Sequence, residues 1–492
     1  MRSKFNVNAK NYLLSKETSR LDHFLSHDWG SSRWLKLVAL LVIHNSGPAF
    51  CASLATSLLV GVLVSCKLLP YSLWTVLIGH FSFFFVFCFW QRIRGLFFRP
   101  LMVFLDTLCI AQHDEKLKQK GILGLGAFLV NSKKLVVLWT PRYFERLWCT
   151  FEIATFMKDP DKRGQIHIMP LKMGALVVMY AAFWHVLGLS YAIFYMTRQA
   201  QTGAGITTTM YTSGLMLAFA GLVVPVVFYF GVGFLQDLAD LPQRFEEFRV
   251  QDAKCYCCSN GHKHPKTGAS LPCDRRLVFK TLRKFYHARD GEPGGEVGED
   301  YMDRFNTVVR EELAPELLST LQRTGLPLRY LVCVLTSATH PSLCFFIPRW
   351  WSQLPELENG AVLTVTLRFF VNWACFGTAC LFSAGLMNKM GKVALRLRRH
   401  GVFRSHWCMQ AMLLPPLVLV TGLLWFSVVL SVVATDHSSL LCLAPFSIQV
   451  VATAVLLGVA PSPHRRLPSE GGESPKVQQP AEERCEVDIF EV

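Results

Sequence analysis

Six soft donors lie within one short segment, Cys255, Cys257, Cys258, His262, His264 and Cys273 in CYCCSNGHKHPKTGASLPCDRR. Thiolate sulfur and imidazole nitrogen are the ligands a tetrahedral zinc takes, and four of the six would complete its shell. The spacing is not that of paired CxxC motifs, so reduced or lipid-modified thiols are the competing reading. Such a zinc would be structural, ordering a loop that has Pro and Gly but few large apolar side chains. A second group follows short apolar runs: Ser26, His27, Asp28 and Trp29 after one, Asp106 and Gln112 after the next, and the turn 139–142 after a third. GILGLGAF at 121–128 is Gly-rich, but its spacing is not GxGxxG and it falls inside a helical pattern, so it is not read as a phosphate loop.

The elements that must position these residues are of two kinds. The chain has 492 residues, 51% hydrophobic and 17% charged, against about 25% charged in ordinary soluble domains. That balance excludes a simple soluble enzyme. A membrane-spanning helix needs roughly 20 apolar residues, and eight segments qualify: 49–66, 71–90, 173–197, 210–235, 328–347, 361–387, 409–434 and 438–460. The short loops on one side hold only Lys67, Arg198 and Arg349 of the 50 Lys and Arg residues. By the positive-inside rule both termini are then cytosolic, in a membrane the sequence does not name. The formal charge of +15 has this topological explanation. The basic connection 388–407 can meet anionic lipid, and no base-stacking or helix-turn-helix pattern points to nucleic acid. The cysteines outside the spans fall on the cytosolic side, where free thiols are expected.

Between the spans, 20–46 and 100–170 read as strand, helix, strand, helix, strand, helix, strand. The strands are 21–26, 101–105, 134–139 and 166–169. The helices begin near Ser31 or Ser32, run from 115 to 130, and start again at Thr140-Pro141, since Pro suits a first turn. Continuous apolar strands alternating with helices predict a parallel sheet covered on both faces, whose ligands bind beyond the carboxyl ends of the strands.

These residues resemble the Toll/interleukin receptor (TIR) domain family. The matching pieces are FLSHDWG (24–30), VFLDTLCI (103–110), NSKKLVVLWTPRYFERLWCTFE (131–152) and IHIMP (166–170), about a hundred residues in all. The resemblance implies a flavodoxin-like α/β fold and, for members that are enzymes, cleavage of the nicotinamide–ribose bond of NAD. The Glu of Trp-Cys-x-x-Glu, here Glu152, would be the catalytic carboxylate, stabilising positive charge on the ribose. His27, Asp28 and Asp106 would line the cofactor site, Trp29 or Trp148 would stack on nicotinamide, and Arg33 or Lys120 would meet phosphates. Other relatives only assemble with copies of themselves, so a scaffold role stands beside catalysis. This chain departs from the family pattern twice. Two spans are inserted after the first helix, and a third begins where the last helix and strand would follow, leaving an edge for residues 236–327 or a second chain to cover.

The expected architecture is therefore an α-helical multi-span membrane protein with a cytosolic, split TIR-type parallel sheet. The sheet comes from 1–46 and 91–170, with a hairpin of spans at 49–90 and another at 171–235. A Cys/His loop with helices follows at 236–327, then a four-span bundle at 328–460 and a disordered tail at 461–492. Expected partners are the bilayer and other copies of the chain. A transporter or channel is the remaining alternative, and its candidate polar residues within spans are His80, His185, Arg368 and Asn372. Arg368 is expected to reach out to the interface.

Overall fold

The runs LDHFLSH, VF, SKKLVVLW and IHIMP form β1 (Leu21–His27), β2 (Val103–Phe104), β3 (Ser132–Trp139) and β4 (Ile166–Pro170). They pair in parallel in the order β2-β1-β3-β4. The computed structural model describes residues 12–458 except 112, 203–205, 264–267, 269, 287–299, 316, 319–327, 357–360, 403–404 and 437. The expected tail, His264 and Gln112 lie outside the described residues. β2 is shorter than the expected 101–105: Leu105 is already the N-cap of a helical turn (Asp106–Cys109), and Met102 gives its N–H to the Asp22 carboxylate.

Strand side chains alternate between faces. Phe24 and Ser26 point to one face, where Phe24 stacks on Phe104 and Phe104 on Phe128, each at 4.6 Å. Phe128 belongs to the second of two helices, α3 (Glu115–Leu123) and α4 (Leu125–Val130), in place of the single one expected. Asp114 caps α3 by accepting the N–H groups of Lys116 and Leu117, and the chain breaks at Gly124. The helix expected from Thr140-Pro141 begins later. A 3-10 turn (Tyr143–Glu145) precedes α5 (Leu147–Met157), and Arg146 between them is extended. The reason is tertiary: Arg146 pairs as a bridge with Lys254, and Leu147 donates its N–H to the Lys254 carbonyl at 3.1 Å.

On the other face lies α1 (Arg33–Ser65), which continues without a break through both the expected soluble helix and the first expected span. At about 1.5 Å per residue it is roughly 50 Å long. It packs against α2 (Leu73–Phe97), with Asn45 Nδ2 donating to the Phe87 carbonyl at 2.7 Å and Gln91 Nε2 to Asn45 Oδ1 at 2.9 Å. A Cβ on Gly79 would stand 2.6 Å from Ser57 Oγ and 2.9 Å from Pro341 Cα, so glycine lets three backbones meet there.

β4 runs directly into α6 (Leu171–Thr202), followed by α7 (Ile206–Ala239), α8 (Asp274–Tyr286) and α9 (Asp300–Val308). The fifth apolar segment is broken: α10 (Leu328–Leu335), a 3-10 stretch through Pro341 (Thr336–Ser342), and α11 (Leu343–Gln353). Then come α12 (Ala361–Arg399), α13 (His406–Ala434) and α14 (Leu443–Leu457). Among the described residues, seven helices, counting α10 to α11 as one, are long and apolar enough to cross a membrane. The eighth expected segment, 438–460, gives only the 15-residue α14, which stops at Gly458 with φ +69°.

Arg368 does not reach outward as expected. It is 4% exposed, and its guanidinium donates to Thr435 Oγ1 and the Ser439 carbonyl, both at 2.7 Å, to the Thr435 carbonyl at 2.9 Å and to the Val432 carbonyl. Carbonyls at a helix end lack intrahelical donors, and Arg368 supplies them to α13. One apolar core runs from Phe24 and Leu135 in the sheet through α5 to Tyr180 and Leu331 in the long helices.

Candidate functional site

β1 ends by delivering His27, Asp28 and Trp29 to the carboxyl edge of the sheet, and the turn after β2 brings Asp106 beside them. Asp28 is buried and accepts the Gly30 N–H at 2.9 Å and Arg142 Nη2 at 3.0 Å, with Arg146 Nε at 3.9 Å. A Cβ on Gly30 would lie 2.8 Å from Arg142 Nη2, so a larger residue there would push the arginine's flexible end aside. Trp29, 46% exposed, donates its Nε1–H to Asp106 Oδ2 at 2.5 Å. His27 Nε2 is 3.9 Å from Asp106 Oδ1. Burial holds His27 below its ordinary pKa, opposed by Asp106, so the ring is neutral near pH 7. The result is a half-open edge with an aromatic face, an acid and two arginines.

Glu152 is not part of that open edge. It is buried, and Ser26 Oγ donates to its Oε2 and also shares a hydrogen bond with the Tyr143 hydroxyl. Burial pushes the Glu152 carboxyl well above its ordinary range, and the charge of Asp106 acts in the same direction. Tyr143 and Cys149 are also raised by burial. Cys149 Sγ lies 3.6 Å from the His27 carbonyl. The interior between β1 and α5 therefore holds a buried Tyr143–Ser26–Glu152 chain, a latch between strand and helix in which burial favours the protonated carboxyl.

Trp148 turns away from the strand ends and donates its Nε1–H to Asp274 Oδ2 at 3.2 Å. Arg33 and Lys120 are exposed; Arg33 lies 5.3 Å from the ring centroid of its neighbour Trp34. Arg142, Arg146 and Tyr143 complete the edge and its latch. Their roles had no local signal beyond a turn after a strand, because each partner lies more than a hundred residues away in the chain. An apolar cavity of about 310 Å³ lies elsewhere, between α6, α7, α12 and α13, with Trp184, Leu217, Phe376 and Trp425 among its walls.

The cysteine–histidine segment folds around its own sulfurs. Cys257 and Cys258 sit on a helical turn (Tyr256–Ser259), Gly261 and His262 follow with φ of +59° and +57°, and Cys273 precedes α8. The donor atoms of Cys257, Cys258, His262 and Cys273 all lie within 4.8 Å of one another. Cys257 and Cys273 Sγ are each 3.9 Å from Cys258 Sγ, and His262 Nε2 is 3.6 Å from it. A tetrahedral zinc with bonds of about 2.3 Å separates its sulfurs by roughly 3.8 Å, so this set could hold the ion. Cys255 Sγ, only 3.0 Å from Cys257 Sγ, forms a second group with Cys257 and Asp274. Burial pushes Cys255 up to about 12. Cys257, on which burial acts in the same sense, is held below its ordinary value by hydrogen bonds from Cys255 and the Asp274 N–H.

This segment is tied to the sheet through the stretch that carries Glu152. Lys254 pairs with Glu145 at 2.7 Å, Arg244 Nη1 donates to the Pro141 carbonyl at 2.9 Å, and Trp148 meets Asp274. It thus covers the outer side of α5, while at β4 His167 Nε2 meets the Tyr330 hydroxyl at 3.0 Å. No family model, no curated protein and no solved structure matches the chain.

Proposed function

We propose that this chain is a multi-pass membrane protein with both termini in the cytosol, whose split TIR-like sheet serves as an assembly and signalling module. The observation that carries this reading is the closure of Glu152 against Ser26 and Tyr143. A carboxyl sealed into the interior, where burial disfavours its charge, joins β1 to α5 and is not presented to a ribose at the strand ends. The strand order β2-β1-β3-β4 agrees with the first four strands of a flavodoxin-like sheet. Leu117, Leu123 and Val130 stand exposed on α3 and α4, an apolar face suited to a second copy. The buried Arg368, occupied by carbonyls, argues against an ion path at that position.

NAD cleavage is the second reading, favoured by the grouping of His27, Trp29 and Asp106 at the open edge. The test is the purified full-length protein in detergent, with mass measured by light scattering and nicotinamide release from NAD measured alongside. Oligomers in the wild type, lost in Leu123→Lys/Val130→Lys, with no nicotinamide released, are the expected result. Release by the wild type that disappears in Glu152→Gln would replace assembly with catalysis.

A further inference from the structure

At the opposite end of the sheet the strands begin among histidines and cations. His23 of β1 pairs in register with Lys134 of β3, and His167 of β4 with Val136, which places all three polar side chains on one face. His44 of α1 stacks on His23 with centroids 5.1 Å apart and planes 21° from parallel. Tyr330, bonded to His167, lies under the Arg329 guanidinium at 4.5 Å. Burial lowers His23, and Lys134 and Arg94 lower it further. His167 is brought down to about 4 by burial, then by Arg329 and Lys134. His23 Nδ1 is buried without a hydrogen-bond partner.

The group has cations and neutral donors but lacks an anion. Asp22, the carboxylate that acts on His23, is engaged by Arg20 Nε at 2.7 Å, the Met102 N–H at 3.1 Å and Lys133 at 3.6 Å. No carboxylate pairs with Arg94, Lys134 or Arg329 among the described residues. The stacking of His44 on His23 means that α1 runs back along β1, from the strand's carboxyl end to its start. On the membrane reading, the amino ends of the strands therefore face the bilayer, just where α1 and α2 enter it. Basic pockets at that depth bind lipid headgroups.

We propose that His23, His44, His167 and Tyr330, with Arg94, Lys134 and Arg329, form a binding site for the phosphate headgroup of an anionic membrane lipid. Arginine and imidazole N–H groups and the tyrosine hydroxyl are the donors a phosphate takes, and its charge offsets the three cations. The site rests on the membrane reading above. Retention of the protein in membranes after alkaline carbonate extraction tests that reading separately.

The experiment uses the full-length protein in nanodiscs of phosphatidylcholine with and without phosphatidic acid, and in detergent with inorganic phosphate alone. Bound lipid is quantified by native mass spectrometry. At least tenfold enrichment of phosphatidic acid over its share of the bilayer is expected, with no comparable protection against thermal unfolding by millimolar phosphate. Arg94→Gln/Lys134→Gln/Arg329→Gln should lose the enrichment, whereas Lys389→Gln/Arg396→Gln in the basic connection should keep it. Lys134→Gln alone, at an exposed position, keeps the fold and should weaken enrichment severalfold. Equal enrichment in wild type and triple variant would overturn the proposal, as would none in a carbonate-resistant wild type. Equal protection by free phosphate would overturn the lipid as source.

Discussion

The Glu152 carboxyl is raised well above its ordinary range by burial, with Asp106 adding to the shift and the Ser26 hydroxyl opposing it. Its folded-state pKa lies above the unfolded one, so its stabilising contribution is complete below about pH 4.5 and is lost as pH rises through the folded value. Glu152→Gln keeps the shape and the hydrogen bond without the ionisable proton. It should leave the melting temperature near pH 5 unchanged and flatten the fall in stability towards pH 8, as read by thermal unfolding across that range. Glu152→Ala removes both latch and volume, and should cost about 2–4 kcal/mol. Arg368→Met leaves the carbonyls of Thr435 and Ser439 without donors and should cost about 2–4 kcal/mol in denaturant unfolding. Ser26, His27, Asp28, Trp29 and Asp106 were legible in the sequence as strand-end residues. That Trp148 faces Asp274, or that Ser26 meets Glu152, was not, since the rotation of α5 is set by Lys254 and other residues far along the chain.

At the scale of elements, the strands of the sheet were readable because β1, β3 and β4 are short segments dense in apolar residues, with turn residues after the first two. The helix boundaries were less so. Gly124 divides α3 from α4, and the bridge between Arg146 and Lys254 delays α5, the first a local effect and the second a tertiary one. α1 runs on past the expected boundary near 46–49 because a helix satisfies its own backbone in polar and apolar surroundings alike. The metal segment gives an element-level prediction. One equivalent of zinc per chain should be found by elemental analysis, lost in Cys258→Ser and retained in Cys255→Ser, because the latter thiol lies outside the set of Cys257, Cys258, His262 and Cys273. Loss of zinc should also loosen the contact between Asp274 and Trp148, raising hydrogen exchange at the start of α5.

For the whole molecule, the long apolar helices and the sheet share one core, so neither layer is an independent attachment to the other. On the membrane reading, the two apolar segments between β1 and β2 return the chain to the side it left, as two strands of one sheet require. The length of α1 was not legible in the sequence. On the membrane reading proposed above, the lower part of α1 lies along the sheet and its remainder, past Pro48, crosses the bilayer. A thinner bilayer forces apolar rods to tilt, and Arg33, at the lower end of this one, follows closely on Asp28, Trp29 and Gly30. Because sheet and helices share one core, the tilt carries the sheet with it, and a spin label at Lys120 should change its distance from the bilayer surface between 14-carbon and 22-carbon lipids. On that reading, the carboxyl edge of the sheet tips with the width of the membrane.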